Sequence, residues 1–160
     1  MELQGSHNAT GCRFAIVASR FNQEITEGLL RGARSALDEV GVNDADVTVI
    51  RVPGAFEIPL AARWLAETGR FDAVVCLGCV IKGDTMHFEY IASAVSTGIM
   101  DVGADTQVPV TFGVLTALTE EQAAARASDG DANKGREAAL AAVEMATLRR
   151  RLGHEGHHGG

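Results

Sequence analysis

The stretch from Phe71 to Ile81 constrains this chain more than any other. Apart from Asp72 it carries almost nothing but apolar residues, several of them β-branched. Such a run reads as a strand, and a strand with no polar face must be covered on both sides. That requirement points to a parallel sheet with a helical layer above and below it, because parallel neighbours need crossover connections. Within the run, Cys76 and Cys79 have the spacing of a redox or zinc pair. Residues three apart on a strand face opposite ways, so the two thiols are read as core residues, with Cys12 far away in sequence.

The rest of the chain alternates as that architecture requires. Arg13 to Ser19 and Val47 to Val52 are short β-branched runs. Between them Ile25, Leu29, Ala33, Leu37 and Val40 recur at helical spacing until Gly41. A second helix is predicted from about Phe56 or Ile58 to Thr68, with Pro59 in its first turn and Gly69 past its end. After Ile81 comes a glycine-led loop and a helix from about Met86 to Val102. A fourth strand over Val108 to Leu115 follows. Thr119 to Gln122 has the form of a capping box, and the last helix is predicted from Lys134 to Leu152. The expected fold is one α/β domain over residues 1–152, a three-layer sandwich around a four-stranded parallel sheet. Residues 153–160, with the His-rich stretch His154 to His158, are expected to be a disordered tail.

Composition removes several classes of function. The formal net charge is -7 with no long basic run, whereas nucleic-acid binding needs clustered Lys and Arg. No apolar stretch reaches the roughly 20 residues of a membrane helix, and Met1 to Thr10 is polar, unlike a signal peptide. A cytoplasmic protein without nucleic-acid or membrane partners is expected.

In parallel α/β folds ligands sit beyond the carboxyl ends of the strands, and the chemically informative residues fall there. Strand one is followed by Arg20-Phe21-Asn22, strand two by Pro53-Gly54-Ala55-Phe56-Glu57, and strand three by Lys82-Gly83-Asp84-Thr85-Met86-His87. Strand four carries Phe112, and all four are expected to converge on one edge of the sheet. Gly78 and Gly83 approximate a P-loop, but Asp84 stands where the phosphate-binding lysine belongs. Nucleotide hydrolysis is therefore rejected. A glycine loop that feeds a helix start still offers free backbone N–H groups to a small phosphate ester, and it reads equally as a turn capped by Asp84 or Thr85. His87, in the first helical turn, offers an imidazole as a candidate base. Glu57 would cap a helix or bind hydroxyls. Phe21 reads as core or as an exposed ring platform, and Arg126 and Asn133 to Gly135 flank what reads as a solvated loop.

Taken in order, these segments resemble the lumazine synthase family over about Gly11 to Leu148. The motifs are Arg-Phe-Asn at 20–22, Val-Pro-Gly-Ala-Phe-Glu-Ile-Pro at 52–59 and Gly-Cys-Val-Ile-Lys-Gly-Asp-Thr-Met-His-Phe-Glu-Tyr-Ile at 78–91. Pro-Val-Thr-Phe-Gly-Val-Leu-Thr at 109–116 and Asn-Lys-Gly at 133–135 complete the set. The resemblance implies a flavodoxin-like fold. It also implies condensation of 5-amino-6-(ribitylamino)uracil with 3,4-dihydroxy-2-butanone 4-phosphate, with no metal and no cofactor.

By that resemblance Phe21 would stack on the uracil, and Ala55, Phe56 and Glu57 would line the ribityl and ring site. Cys79, Val80 and Ile81 would meet the pyrimidine edge with backbone groups. Gly83, Asp84 and Thr85 would hold the phosphate with Arg126, and His87 would carry protons. Phe112, Arg126 and Lys134 would come from a neighbouring subunit. The partners implied are the two substrates, further copies of the chain in a pentamer or a 60-subunit icosahedral shell, and riboflavin synthase. Met1 to Asn8 would join an adjacent subunit's sheet, and the short loop Ser128 to Ala132 favours the shell. Lys82, Cys79 and Ser128 depart from the family's usual residues. A flavin- or lumazine-binding protein without catalysis, or a shell-forming scaffold, is the competing expectation.

Overall fold

A computed structural model describes the backbone of residues 1–158 and the side chains through residue 153. Four strands, β1 (Phe14–Ser19), β2 (Val47–Val52), β3 (Ala73–Ile81) and β4 (Val110–Ala117), form one parallel sheet in the order β2-β1-β3-β4. The helices are α1 (Gln23–Glu39), α2 (Ile58–Glu67), α3 (His87–Thr106), α4 (Glu120–Ala127) and α5 (Lys134–His158). They cover the sheet from both sides, giving the three-layer α/β sandwich expected of the fully apolar central strand.

Alternation along each strand divides the core in two. Phe14, Ile16, Val75, Leu77 and Cys79 face the α1, α4 and α5 layer, whereas Ala15, Val17, Val74 and Cys76 face α2 and α3. Cys76 and Cys79 thus enter different cores, and all three cysteines are free and buried. Burial pushes the Cys76 thiol up to about 12 and the Cys79 thiol up to about 11.

On the α1 side the helices meet backbone to backbone. A Cβ on Gly28 would lie 2.4 Å from the Ala127 carbonyl oxygen, and one on Gly135 only 1.9 Å from that of Leu29. Asn133 is fully buried in this joint. Its amide donates to the carbonyls of Gly28 (3.0 Å), Ala127 (3.1 Å) and Ser128 (3.0 Å). Its oxygen accepts the Arg136 N–H (3.0 Å), which caps α5. The polar sequence here reads as a solvated loop, but Asn133 is not solvated. Asn133 instead ties three helices together, because a buried amide needs every bond it can make.

Strand and helix ends differ from expectation for local reasons. β4 begins at Val110 rather than Val108, since Pro109 has no N–H to donate, although its carbonyl accepts from Val74 (2.9 Å). α3 runs past Val102 and stops at Gln107, which adopts the left-handed conformation (φ 61°) that usually marks a glycine. α5 continues through Gly153 to His158. Of the tail expected over residues 153–160, residues 159–160 lie outside the described residues, as do the side chains from 154 onward. Residues 1–8 form no strand within the chain. Ser6 N–H instead donates to the Thr147 hydroxyl of α5 (2.9 Å).

Candidate active site

The strand order turns at β1. The chain moves outward to β2 through α1 on one face, then crosses back to β3 through α2 on the other. Connections leaving β1 and β3 in opposite directions open a crevice at their carboxyl ends. A cavity of about 370 Å³ occupies it, lined among others by Phe21, Ala55, Phe56, Ile81, Thr85 and His87.

Each wall has a local cause. Arg20 N–H donates to the Val52 carbonyl (2.8 Å) and Phe21 N–H to that of Pro53 (3.0 Å), which binds the loop after β1 to the end of β2. The Phe21 ring consequently stands 71% exposed, as a platform rather than a core residue. Gly54 leads into a short helical turn, Ala55–Glu57, that buries Ala55 and leaves the Phe56 ring 64% exposed. Two bare aromatic faces beside an apolar cavity suit a flat conjugated ring.

β3 is longer than β1. Their pairing ends at Ala18 with Leu77, and Cys79 to Ile81 run on past it into the cavity wall. Cys79 contributes backbone there, since its side chain belongs to the opposite core. Beyond Ile81 the Lys82 N–H returns to β4 at the Ala117 carbonyl (2.9 Å). The loop then opens the wall with Gly83, and the Thr85 hydroxyl accepts the His87 N–H (3.3 Å) at the start of α3. The N-cap of α3 is Met86, which makes no side-chain cap bond, so neither Thr85 nor Asp84 caps the helix: Thr85 closes a local turn ahead of it, and Asp84 is exposed. Glu57 makes no side-chain cap for α2 either, which leaves its carboxylate unused by the helix.

Several expected residues stand apart. Phe112 lies opposite Cys76, five positions before β4 ends at Ala117, and is 46% exposed. It does not converge with the other three segments on the carboxyl edge, because strand four extends well beyond it. Arg126 ends α4, and Lys134 opens α5 and pairs with Glu137 (3.0 Å). None of the three lines the cavity, nor do Glu57 and Asp84. Gly54, from the segment after β2, lines it as well, and so do Phe88 and Ile91, which lie beyond the strand-end segments. Phe88 and Ile91 fit a helix's apolar stripe, so spacing alone marks them as core.

A larger cavity of about 450 Å³ lies between β4 and α5 at the amino edge of the sheet, lined by Val108, Pro109, Met145, Leu148 and Leu152 with Arg149 as its charged residue. It holds no nucleophile, acid or base. The smaller cavity, which brings an imidazole, a helix start and two exposed rings together, is the better candidate.

Comparison with known proteins shows which family the chain belongs to. The model of the 6,7-dimethyl-8-ribityllumazine synthase family matches residues 11–150. The chain belongs to that family. A protein named 6,7-dimethyl-8-ribityllumazine synthase from Salinibacter ruber is 51% identical over 150 residues, covering 94% of this chain and 96% of the relative. The matched region includes all four strands and every residue of the cavity wall.

Proposed function

We infer that this chain condenses 5-amino-6-(ribitylamino)uracil with 3,4-dihydroxy-2-butanone 4-phosphate to 6,7-dimethyl-8-ribityllumazine. The observation that carries the reading is the switch-point cavity, with exposed rings on one wall and His87 at a helix start on another, in a chain of this family. The uracil amine attacks the ketone and water leaves to give an imine. Phosphate is then eliminated, and the ribityl-bearing nitrogen closes the second ring with loss of a further water. Each stage moves protons and none changes a metal or a redox cofactor.

Phe21 stacks on the uracil, and the backbone of Cys79, Val80 and Ile81 meets its edge. Ala55, Phe56 and Glu57 receive the ring and the ribityl chain. Gly83, Asp84 and Thr85 hold the phosphate through backbone N–H groups and the Thr85 hydroxyl. His87 takes and returns protons during imine formation and phosphate loss. Much of the rate comes from holding two reactive substrates together.

A second subunit completes the site. The cavity wall of one chain contains neither Lys nor Arg, and a phosphate ester calls for a cation. Arg126, Lys134 and Phe112 are exposed or half-buried on other surfaces of the same chain. We assign them to the neighbour's site, with Arg126 as the bidentate partner of the phosphate. Leu60, Trp64, Tyr90 and Met100 stand exposed on α2 and α3, and such apolar surface supports assembly, as a pentamer or a shell of twelve pentamers in the cytoplasm. Among the described residues no helix is long and apolar enough to cross a membrane. Riboflavin synthase, which would consume the product, is the partner proposed beyond the chain itself.

A steady-state assay that follows the absorbance of the lumazine product tests the reading. A rate well above the protein-free blank, saturating in both substrates, is expected. No rate above blank, together with tight binding of a ribityl-lumazine, would replace the enzyme with a binding protein.

A further inference from the structure

We propose that Asn22 is a positioning residue that decides which backbone groups of β3 remain free to read the pyrimidine edge, an inference that rests on the reaction proposed above. Asn22 is the N-cap of α1, yet it behaves unlike one. Its backbone is left-handed (φ 61°, ψ 49°), and its side chain makes no cap bond to the helix. An Asn at this position ordinarily stabilises a helix through such a bond. Here its Nδ2 reaches across to the Cys79 carbonyl (3.0 Å), 57 positions along the chain. Giving up both the local bond and the ordinary backbone region is what a residue does when its position matters elsewhere.

The bond falls where the sheet runs out. β1 pairs with β3 only as far as Ala18 with Leu77, so Cys79 and Ile81 have no strand beside them on that side. The Lys82 N–H bonds to Ala117 on β4. Backbone groups alternate in direction along a strand, so those of Cys79 and Ile81 point to the side that β1 has left. The Asn22 amide stands in for the missing strand at Cys79 and removes that carbonyl as an acceptor. The next groups on the same side are the N–H and carbonyl of Ile81, in the cavity wall. That adjacent donor and acceptor match the alternating N–H and C=O of a pyrimidinedione edge, and they do so in one register only. Asn22 itself lines a neighbouring cleft of about 290 Å³ with Gln23, Glu24 and Glu120, and is absent from the cavity wall. It acts through β3 and through the adjoining Phe21 rather than by touching the ring.

The test uses the full-length protein and two variants. Asn22→Gly keeps the left-handed backbone and loses the amide. Asn22→Asp keeps the side-chain shape and sets a carboxylate oxygen against the Cys79 carbonyl. KM is measured for each substrate. In parallel, Kd is measured by titration with the same ribitylamino-pyrimidine bearing a nitro group in place of the reacting amine. In Asn22→Gly the KM and the Kd for the pyrimidine are expected to rise about tenfold, the loss of one hydrogen bond. The KM for the sugar phosphate should stay unchanged, and Asn22→Asp should weaken the pyrimidine further. Equal changes in both KM values, or unchanged pyrimidine affinity in both variants, would overturn the proposal. A wild-type protein that binds the nitro compound without turning over the amine would remove the proposed activity, while the Kd ratio still judges Asn22. Failure of the wild type to bind it overturns both.

Discussion

The two edges of the sheet are built from the same strands and treated in opposite ways. At the amino edge the chain closes on itself. The Asp72 carboxylate accepts the Arg13 N–H (2.7 Å) and pairs with Arg150 (3.3 Å), whose guanidinium also reaches the Gly11 carbonyl (3.1 Å). Arg63 bridges to Asp105 (2.7 Å) nearby. At the carboxyl edge the loops are tied to one another through backbone bonds, and the rings of Phe21 and Phe56 are left in solvent. One edge satisfies its polar groups internally, and the other keeps apolar faces and a proton carrier available. Substitutions at the first should therefore alter stability with little effect on turnover, and those at the second the reverse.

The strongest test of that contrast is His87→Ala at the carboxyl edge. It is expected to lower kcat roughly 10²-fold, in the range of general acid–base contributions, with the melting temperature close to wild type. An unchanged kcat would take His87 out of the chemistry. Next in size, Arg126→Ala should raise the KM for the sugar phosphate about tenfold or more, as expected for a lost charge-assisted hydrogen bond, and spare uracil binding. Because His87 and Arg126 are assigned to opposite sides of a shared site, mixed oligomers of the two variants should regain activity that neither has alone. If mixing restores nothing, both residues serve a site within one chain.

At the amino edge Asp72→Ala should cost about 1–2 kcal/mol of stability, since it strands a backbone donor and an arginine, with kcat and both KM values unchanged. Denaturant midpoints and the assay above decide this. The smallest effect concerns the thiols. Cys76 and Cys79 are raised from an ordinary value of 9.0 to about 12 and about 11 by burial. Both should resist alkylation in the native protein at pH 8. A raised thiol pKa means that the folded state holds its proton longer than the unfolded chain. Stability is thus unaffected below about pH 9 and falls as pH rises from there toward the folded values. Alkylation at the rate of an unfolded control would contradict their burial.

The layers of the fold were legible because the period of each segment and the polarity of its faces are properties of sequence alone. Phe71 to Ile81 demanded two covering layers, and α2, α3 on one side and α1, α4, α5 on the other supply them. Ends were less legible where a conformation has no dedicated residue. Gln107 terminates α3 in a glycine's conformation, and Gly153 continues a helix that a glycine was expected to stop. The candidate site was readable where strand-end segments carry unusual side chains, as at Phe56 and His87, whereas the spacing around Phe21 fits a core residue as well as the exposed ring it is. It was unreadable where a residue's place depends on how far a strand extends. Phe112 sits low on β4 because the strand begins late and runs to Ala117. Asn133 hides in a polar stretch, and nothing in its neighbours announces that three helices converge on its amide.

That buried amide has a further consequence for the assembly proposed above. Asn133 joins the last residues of α4 to the first of α5, with α1 behind them, and no side chain lies between the closest backbones. Arg126 lies just before this joint and Lys134 just after it. Their separation is therefore a dimension of the subunit, set before any partner arrives. The neighbouring cavity would receive two positive charges at a fixed gauge, like the prongs of a plug, and a slack joint would let either one engage without the other.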